Sequence, residues 1–323
     1  MPAGGALVGR EIDDLDPILI ENGPFQELPI SILQSFVVPV IVLRPSTISL
    51  IGTAFNIAPG GLFVTAKHVV DEALAICNQD PGSWIAVLWM TSGSDHEDVE
   101  DLLGGQIPVK LIQVSESHDV ALLQTAQLFK DEEPVNFPVC RLDTRVPEIG
   151  TPVLGVGYTK MDVVRHHNTP ELRDVSVEQS CHSAHGVVTE VFPAGRDSVM
   201  IPFPAFSSSA RFDPGMSGGP VFSGDSAKVC GVVCSSVGMG ESTDEYISYA
   251  AMALNVLTLD VTTDQAKGES ATLYELVRRG IVIADDNFKS IKLSDGGDGK
   301  KHLTFPGPGA GDSDSGSDRV GDP

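Results

Sequence analysis

Basic residues are scarce in this sequence, and their scarcity limits the partners that the protein can bind. Lysine and arginine number 21 against 44 aspartates and glutamates, which gives a formal net charge of −23 over 323 residues. A negative excess of this size repels phosphate backbones and anionic lipid headgroups. We therefore expect neither nucleic acid nor a membrane surface as a partner.

Paired cysteines, a leader peptide and long apolar runs are also missing. The five cysteines are scattered without a Cys-x-x-Cys pair, so their spacing indicates neither a disulfide framework nor a zinc knuckle. Residues 1–23 carry acids but no basic region followed by an apolar run, which argues against a signal or transit peptide. Residues 28–43, the most apolar stretch, are fewer than the roughly 20 that span a bilayer. These absences predict a cytoplasmic protein.

Aromatic residues make up only 6% of the sequence, whereas glycine (33) and proline (22) are plentiful. This composition favours short strands joined by turns over long helices. Apolar, β-branched runs such as 36–43 and 49–57 alternate with turn signals as far as residue 254, and we count about a dozen of them. The sequence therefore predicts an all-β fold, either a sandwich or a barrel.

Composition divides the chain into four segments. Residues 1–27 are polar and predict an extension beside the main fold, and residues 28–262 form the main domain. Residues 263–293 contain Leu273, Leu276 and Val277 at helical spacing before Gly280, which predicts a short packed helix. Residues 294–323 are rich in Gly, Asp and Ser and cannot bury enough apolar surface to fold, so we predict a disordered tail.

Two polar stretches invite interpretation as metal sites. The loop predicted at 159–185 collects potential ligands, but their spacing matches no compact tetrahedral site. These ligands are His166, His167, Cys181, His182 and His185. Residues 95–101 carry five acids without the alternating oxygens and central glycine of a calcium loop. We interpret both stretches as solvated loops and predict neither a metal nor a cofactor.

A single serine stands between glycines in Asp213-Pro214-Gly215-Met216-Ser217-Gly218-Gly219-Pro220. Flanking glycines permit positive φ and close approach of a substrate, and they free N–H groups to point at one spot. A plain surface turn is the alternative interpretation. A serine hydroxyl is a weak nucleophile, so it needs a base and a group that fixes the tautomer of that base.

His68 and Asp119 are the candidates for these two roles. His68 follows the apolar run 62–66, where a strand would hold it rigid and exposed. Asp119 leads directly into the apolar run 120–123, where a buried charge is costly unless it is paired. Taken singly, His68 also fits a surface histidine and Asp119 a turn former. Their order with Ser217, each at a predicted strand edge, favours a site.

These stretches together resemble the trypsin-like serine peptidases. Gly52-Thr53-Ala54-Phe55, Val64-Thr65-Ala66-Lys67-His68-Val69-Val70, His118-Asp119-Val120-Ala121-Leu122-Leu123 and the serine turn occur in the order of that family. The similarity covers residues 35–258, and the Pro-Gly-x-Ser-Gly-Gly-Pro form is closest to the HtrA/DegP-type group. The resemblance implies two six-stranded antiparallel β-barrels divided near residues 140–150, with His68 and Asp119 in the first and Ser217 in the second.

The resemblance also implies a function. Ser217 would attack a peptide bond with His68 as base and Asp119 as its orienter, and the N–H groups of Gly215 and Ser217 would form the oxyanion hole. Met216 stands where digestive members have an aspartate that receives a freed N-terminus, so activation by N-terminal cleavage is not expected. The residues after 261 are too few and too polar for a PDZ domain. The partners implied are a protein or peptide substrate and a regulatory protein that activates a latent site.

Position relative to Ser217 predicts a substrate pocket whose residues are Arg211, Cys234, Ser235, Ser236, Tyr249 and Ala250. An inward Arg211 would select an acidic side chain before the scissile bond, whereas an outward one would leave a small pocket for aliphatic side chains. Two other functions stay open. One is a peptidase-fold module that binds or regulates with little activity, and the other is an esterase acting on small acyl groups.

Overall fold

The computed structural model consists mostly of antiparallel strands, which form two closed six-stranded barrels. It describes residues 18–19, 26–27, 30–45, 47–92, 102–130, 132–165, 175–238, 246–264, 268–297 and 301–304. The predicted all-β, chymotrypsin-like architecture is confirmed. None of the helices in these ranges is long and apolar enough to cross a membrane.

The first barrel follows a short N-terminal section. Strands β1 (Ile18–Leu19) and β2 (Gln26–Glu27) pair with each other and precede helix α1 (Ile30–Phe36). The barrel strands are β3 (Val37–Leu43), β4 (Ile48–Ala58), β5 (Leu62–Thr65), β6 (Trp84–Ser92), β7 (Leu102–Val114) and β8 (Ala121–Thr125). They close in the order β3-β4-β5-β8-β7-β6. Alternate apolar side chains such as Val38, Phe63 and Leu123 fill the interior.

Helix α2 (Lys67–Gln79) begins one residue after β5 and corrects a prediction. The sequence analysis placed His68 at a strand edge, but His68 is the second residue of a helix of 13 residues. The helix buries Val69 and Val70 together with Ala73 one turn later, all on the face toward the barrel. Valine favours strands, so the local sequence did not indicate a helix here. Packing against the barrel stabilises the helix instead.

The second barrel is reached through β9 (Phe129–Lys130) and β10 (Glu133–Pro134). Its strands are β11 (Pro152–Arg165), β12 (Val175–Phe192), β13 (Ala205–Ser208), β14 (Pro220–Ser223), β15 (Val229–Gly238) and β16 (Tyr246–Met252). They close in the order β11-β12-β13-β16-β15-β14. The boundary expected between the two barrels, near 140–150, falls in the connection between β10 and β11.

The stretch 159–185 is not the loop that the sequence predicted. β11 and β12 remain paired out to Arg165 and Val175, so both sides of this stretch are strands. Valines at 163, 164, 175 and 177 supply the β-branched residues, which the surrounding charges obscured. His182 and His185 lie on β12, whereas His166 and His167 fall outside the described residues, as do residues 95–101.

The C-terminal section packs on the second barrel. A 3-10 helix (Ala253–Thr258) leads to the paired strands β17 (Asp260–Asp264) and β18 (Glu269–Thr272), so the boundary placed after residue 262 falls inside a strand. Helix α3 (Leu273–Arg278) confirms the predicted short helix, and Thr272 and Glu275 form a capping box at its start.

The sequence analysis predicted a disordered tail from residue 294, but the folded part of the chain continues beyond that residue. After a second 3-10 helix (Asp286–Ser290), strands β19 (Lys292–Asp295) and β20 (Lys301–Thr304) pair as a hairpin. An ion pair between Lys301 and Asp260 ties this hairpin to β17. Residues 305–323 lie outside the described part, so the prediction for them remains a prediction.

Candidate active site

His68 contacts the carboxylate of Asp119 through both its imidazole and its backbone N–H. His68 Nδ1 lies 2.9 Å from Asp119 Oδ2 and 3.1 Å from Oδ1, and the backbone N–H of His68 donates to Oδ1 over 3.0 Å. An ionised carboxylate only accepts hydrogen bonds, so Nδ1 carries the proton. This tautomer leaves the lone pair of His68 Nε2 available as a base.

The protonation of this pair follows from its surroundings. Burial opposes the charged form of the His68 imidazole and by itself would lower its pKa. The hydrogen bond and the charge of Asp119, with the charges of Glu72 and Asp71, outweigh this effect, so the pKa of His68 lies above its usual 6.5. Burial also opposes the charged carboxylate of Asp119, but hydrogen bonds from His68 and Cys234 and the charge of His68 hold its pKa below the usual value. Asp119 therefore stays ionised while His68 changes its charge.

The segment that carries Asp119 is ordered by a serine. Ser115 Oγ accepts the N–H groups of Ser117 and His118 over 3.4 and 3.1 Å, and the Ser115 N–H donates to the carbonyl of Val120 over 3.1 Å. Val120 is fully buried and anchors the end of this turn. Together these bonds set the backbone at Asp119 so that its side chain faces helix α2.

The serine turn adopts the positive φ that its glycines allow. Residues 213–216 form a turn in which the Met216 N–H donates to the Asp213 carbonyl over 3.1 Å and Gly215 has φ +93°. Positive φ at the third residue is the mark of a type II turn. Gly218 has φ +84°, and a Cβ there would lie 2.2 Å from Thr65 Oγ1. Glycine is therefore required at both positions.

The amide groups of this turn divide into two sets. The N–H groups of Met216, Gly218 and Gly219 each donate to a carbonyl of the chain, over 3.1, 2.8 and 2.9 Å. The N–H groups of Gly215 and Ser217 have no acceptor in the part of the chain that the structure describes. Two unpaired donors beside one hydroxyl are what an oxyanion hole requires.

Cys234 lies close to both Ser217 of the second barrel and Asp119 of the first. The sequence analysis predicted it only as a wall of the substrate pocket. Its carbonyl accepts the Ser217 hydroxyl over 3.4 Å, and its thiol, which donates to the Val232 carbonyl over 3.5 Å, also interacts with the Asp119 carboxylate. Burial raises the pKa of this thiol well above its usual range, so it stays protonated and donates. No pattern in the sequence predicts this contact, because Cys234 and Asp119 are far apart in the chain.

The other predicted pocket residues are divided between surface and core. Arg211 points outward: its side chain is 58% exposed, and its Nε donates to Asp213 over 2.7 Å. Ser236 Oγ donates to the carbonyl of Phe212 over 2.5 Å. Ser235 lies next to it on β15, whereas Tyr249 and Ala250 are buried in the second barrel.

Comparison with known proteins identifies the family of this chain. The model of the trypsin-like peptidase domain matches residues 52–232, more than half of the chain. Among solved structures, Deg5 is 15% identical with a TM-score of 0.45, covering 70% of this chain and 89% of its own. The active form of the protease Rv3671c from M. tuberculosis is 18% identical with a TM-score of 0.44, covering 74% and 82%. No curated protein matches the chain.

Proposed function

The chain belongs to the trypsin-like peptidase family, and from this premise we propose that it is a serine endopeptidase acting through Ser217, His68 and Asp119. The observation that carries the proposal is the pairing of two features. A carboxylate-oriented imidazole is supplied by the first barrel, and a serine hydroxyl flanked by two unpaired N–H groups is supplied by the second.

The reaction proceeds in two halves. His68 Nε2 takes the proton of Ser217 Oγ while that oxygen attacks the carbonyl carbon of the scissile bond, and the imidazolium then gives the proton to the leaving amine. Water hydrolyses the acyl-enzyme by the same steps, with His68 again as base. Asp119 stabilises the imidazolium throughout. In the structure the Ser217 hydroxyl donates to the Cys234 carbonyl over 3.4 Å, so it must turn toward His68 before it reacts.

The oxyanion of each tetrahedral intermediate binds the N–H groups of Gly215 and Ser217. These donors are preorganised because the neighbouring amide groups of the turn are already engaged. Losing one such donor costs about 3 kcal/mol of transition-state stabilisation. Since both donors are in place without a partner protein, we propose that the site is competent rather than latent.

The free edge of β15 favours a polypeptide over a small ester as substrate. β14 pairs with β15 only between residues 229 and 232, and β16 pairs with the other edge as far as Gly238. No described strand covers the first edge at residues 235–238. An extended peptide can add there as an antiparallel strand, with its scissile carbonyl beside Ser217.

Fluorophosphonate labelling tests this function. We expect the wild type to be labelled, and both Ser217→Ala and His68→Ala to lose the label because nucleophile or base is gone. Ser198→Ala, at an exposed serine between β12 and β13, serves as the matched control and should label like the wild type. A wild type that never reacts would contradict the proposal and favour the binding or regulatory module.

The specificity follows from the position of Arg211. Because its guanidinium is exposed and already paired with Asp213, we expect a peptide library varied before the scissile bond to show cleavage after Ala, Val or Leu at least as good as after Asp or Glu. Arg211→Ala should leave this order unchanged. Cleavage chiefly after acidic residues, abolished in Arg211→Ala, would show that the arginine turns inward when substrate binds.

A further inference from the structure

The nucleophile turn lies directly against the first barrel, with no side chain between the two backbones. A Cβ on Gly52 of β4 would lie 2.9 Å from the carbonyl oxygen of Ser217. A Cβ on Gly218 would lie 2.3 Å from the carbonyl oxygen of Thr53. The position of the turn relative to β4 therefore sets the position of Ser217 relative to His68, which the first barrel carries.

Thr53 on β4 holds this contact through its backbone and its side chain. Its N–H donates to the Ser217 carbonyl over 2.8 Å. Its hydroxyl donates to the Gly215 carbonyl over 2.9 Å and accepts the Tyr158 N–H over 2.9 Å. Its own carbonyl accepts Thr65 Oγ1 over 2.7 Å, and the residue is fully buried. Three of these four bonds cross from the first barrel to the second.

The Thr53 hydroxyl satisfies two backbone groups that β-sheet pairing leaves open. β12 pairs with one edge of β11 at Tyr158, whereas β14 pairs with the other edge only at residues 153–155. On that second edge, Tyr158 therefore has no strand partner among the described residues. A Cβ on Gly215 would lie 2.4 Å from the Tyr158 carbonyl, so the turn lies close against this edge. The hydroxyl joins the edge and the turn to β4 by donating one proton and accepting another.

We propose that Thr53 is a positioning residue whose hydroxyl holds the nucleophile turn in register with His68 and Asp119. The proposal rests on the proposed function, because it concerns the alignment of a nucleophile with its base. Without the hydroxyl, the buried Tyr158 N–H and the partly buried Gly215 carbonyl lose their partner, which favours movement of the turn away from β4 or entry of water. A displacement of about 1 Å at a reacting group costs on the order of 10²-fold in rate.

Kinetics on three variants test the proposal. Thr53→Val keeps the shape of the side chain and should lower kcat for the best library peptide by about 10²-fold with little change in KM, since the loss falls on the transition state. Thr53→Ser keeps the hydroxyl and should stay within threefold of the wild type. Thr125→Val is the matched control: it removes a buried hydroxyl that donates to the Gly61 carbonyl over 3.0 Å, away from the turn, and should keep kcat.

Hydrogen–deuterium exchange gives a readout that does not depend on activity. Thr53→Val should exchange faster than the wild type over residues 153–160 and 213–220, whereas Thr125→Val should not. Faster exchange in a protein that never cleaves peptide would support the positioning role while the function fails. Exchange and kcat for Thr53→Val that match those of Thr125→Val would overturn the proposal, even if labelling shows an active peptidase.

Discussion

Replacing Asp119 with asparagine is expected to lower kcat for peptide hydrolysis by about 10⁴-fold. The carboxylate accepts the Nδ1–H of His68, whereas an asparagine amide can present its NH₂ group to Nδ1 and so favour the tautomer with the proton on Nε2. That tautomer cannot take the proton of Ser217. The measurement is kcat with the best library peptide, with the thermal midpoint recorded to show that the variant is folded.

The pH profile shows whether the lost rate has this cause. His68 must be neutral to act as base, so kcat/KM of the wild type should rise with pH through a limb above 6.5, because Asp119 raises the pKa of His68. In Asp119→Asn that limb should move to lower pH. Asp286→Asn, at an exposed acid paired with Lys289, is the charge control and should keep both kcat and the limb. An Asp119→Asn variant with kcat within tenfold of the wild type would contradict the assigned role.

The sequence was sufficient to propose a site because the residue types that such chemistry needs cannot replace one another. A serine between glycines, a histidine after an apolar run and an aspartate before another were sufficient to propose the site, and the structure shows His68 and Asp119 in contact. The all-β class was likewise predicted, because alternation and turn residues are local properties. The two barrels were implied by the resemblance to the trypsin-like peptidases. The helix at His68 was missed, since packing against the barrel rather than propensity stabilises it.

The contacts that support the site were not predictable from sequence. Thr53 joins Gly215 across 162 positions of the chain, and nothing in a β-branched run shows which buried hydroxyl will meet which carbonyl. Cys234 was assigned to the pocket wall from its distance to Ser217, whereas its thiol contacts Asp119 of the other barrel. Such contacts depend on how the two barrels pack, and periodicity describes each strand by itself.

The section after β17 is part of the folded unit rather than an appendage. Its backbone pairs with the connection between the barrels: the Leu142 N–H donates to the Ile283 carbonyl over 3.0 Å, and the Asp285 N–H donates back to the Leu142 carbonyl over 3.0 Å. Asp285 Oδ1 also accepts the N–H and the hydroxyl of Thr144 over 3.0 and 2.5 Å. A segment bonded in this way holds the connection that orients one barrel against the other.

Truncation after Asp264 is therefore expected to destabilise the protein severely. It removes Leu273, Leu276, Val282 and Ile291, each at most 3% exposed. Burying such a side chain contributes about 1.5–3 kcal/mol, or roughly 6–12 kcal/mol for the four as an upper bound, against a typical total stability of about 5–15 kcal/mol. Truncation after Thr304 is the control and should leave the urea midpoint unchanged. If the protein ending at Asp264 kept the wild-type midpoint and fluorophosphonate labelling, the C-terminal section would have no role in holding the barrels together.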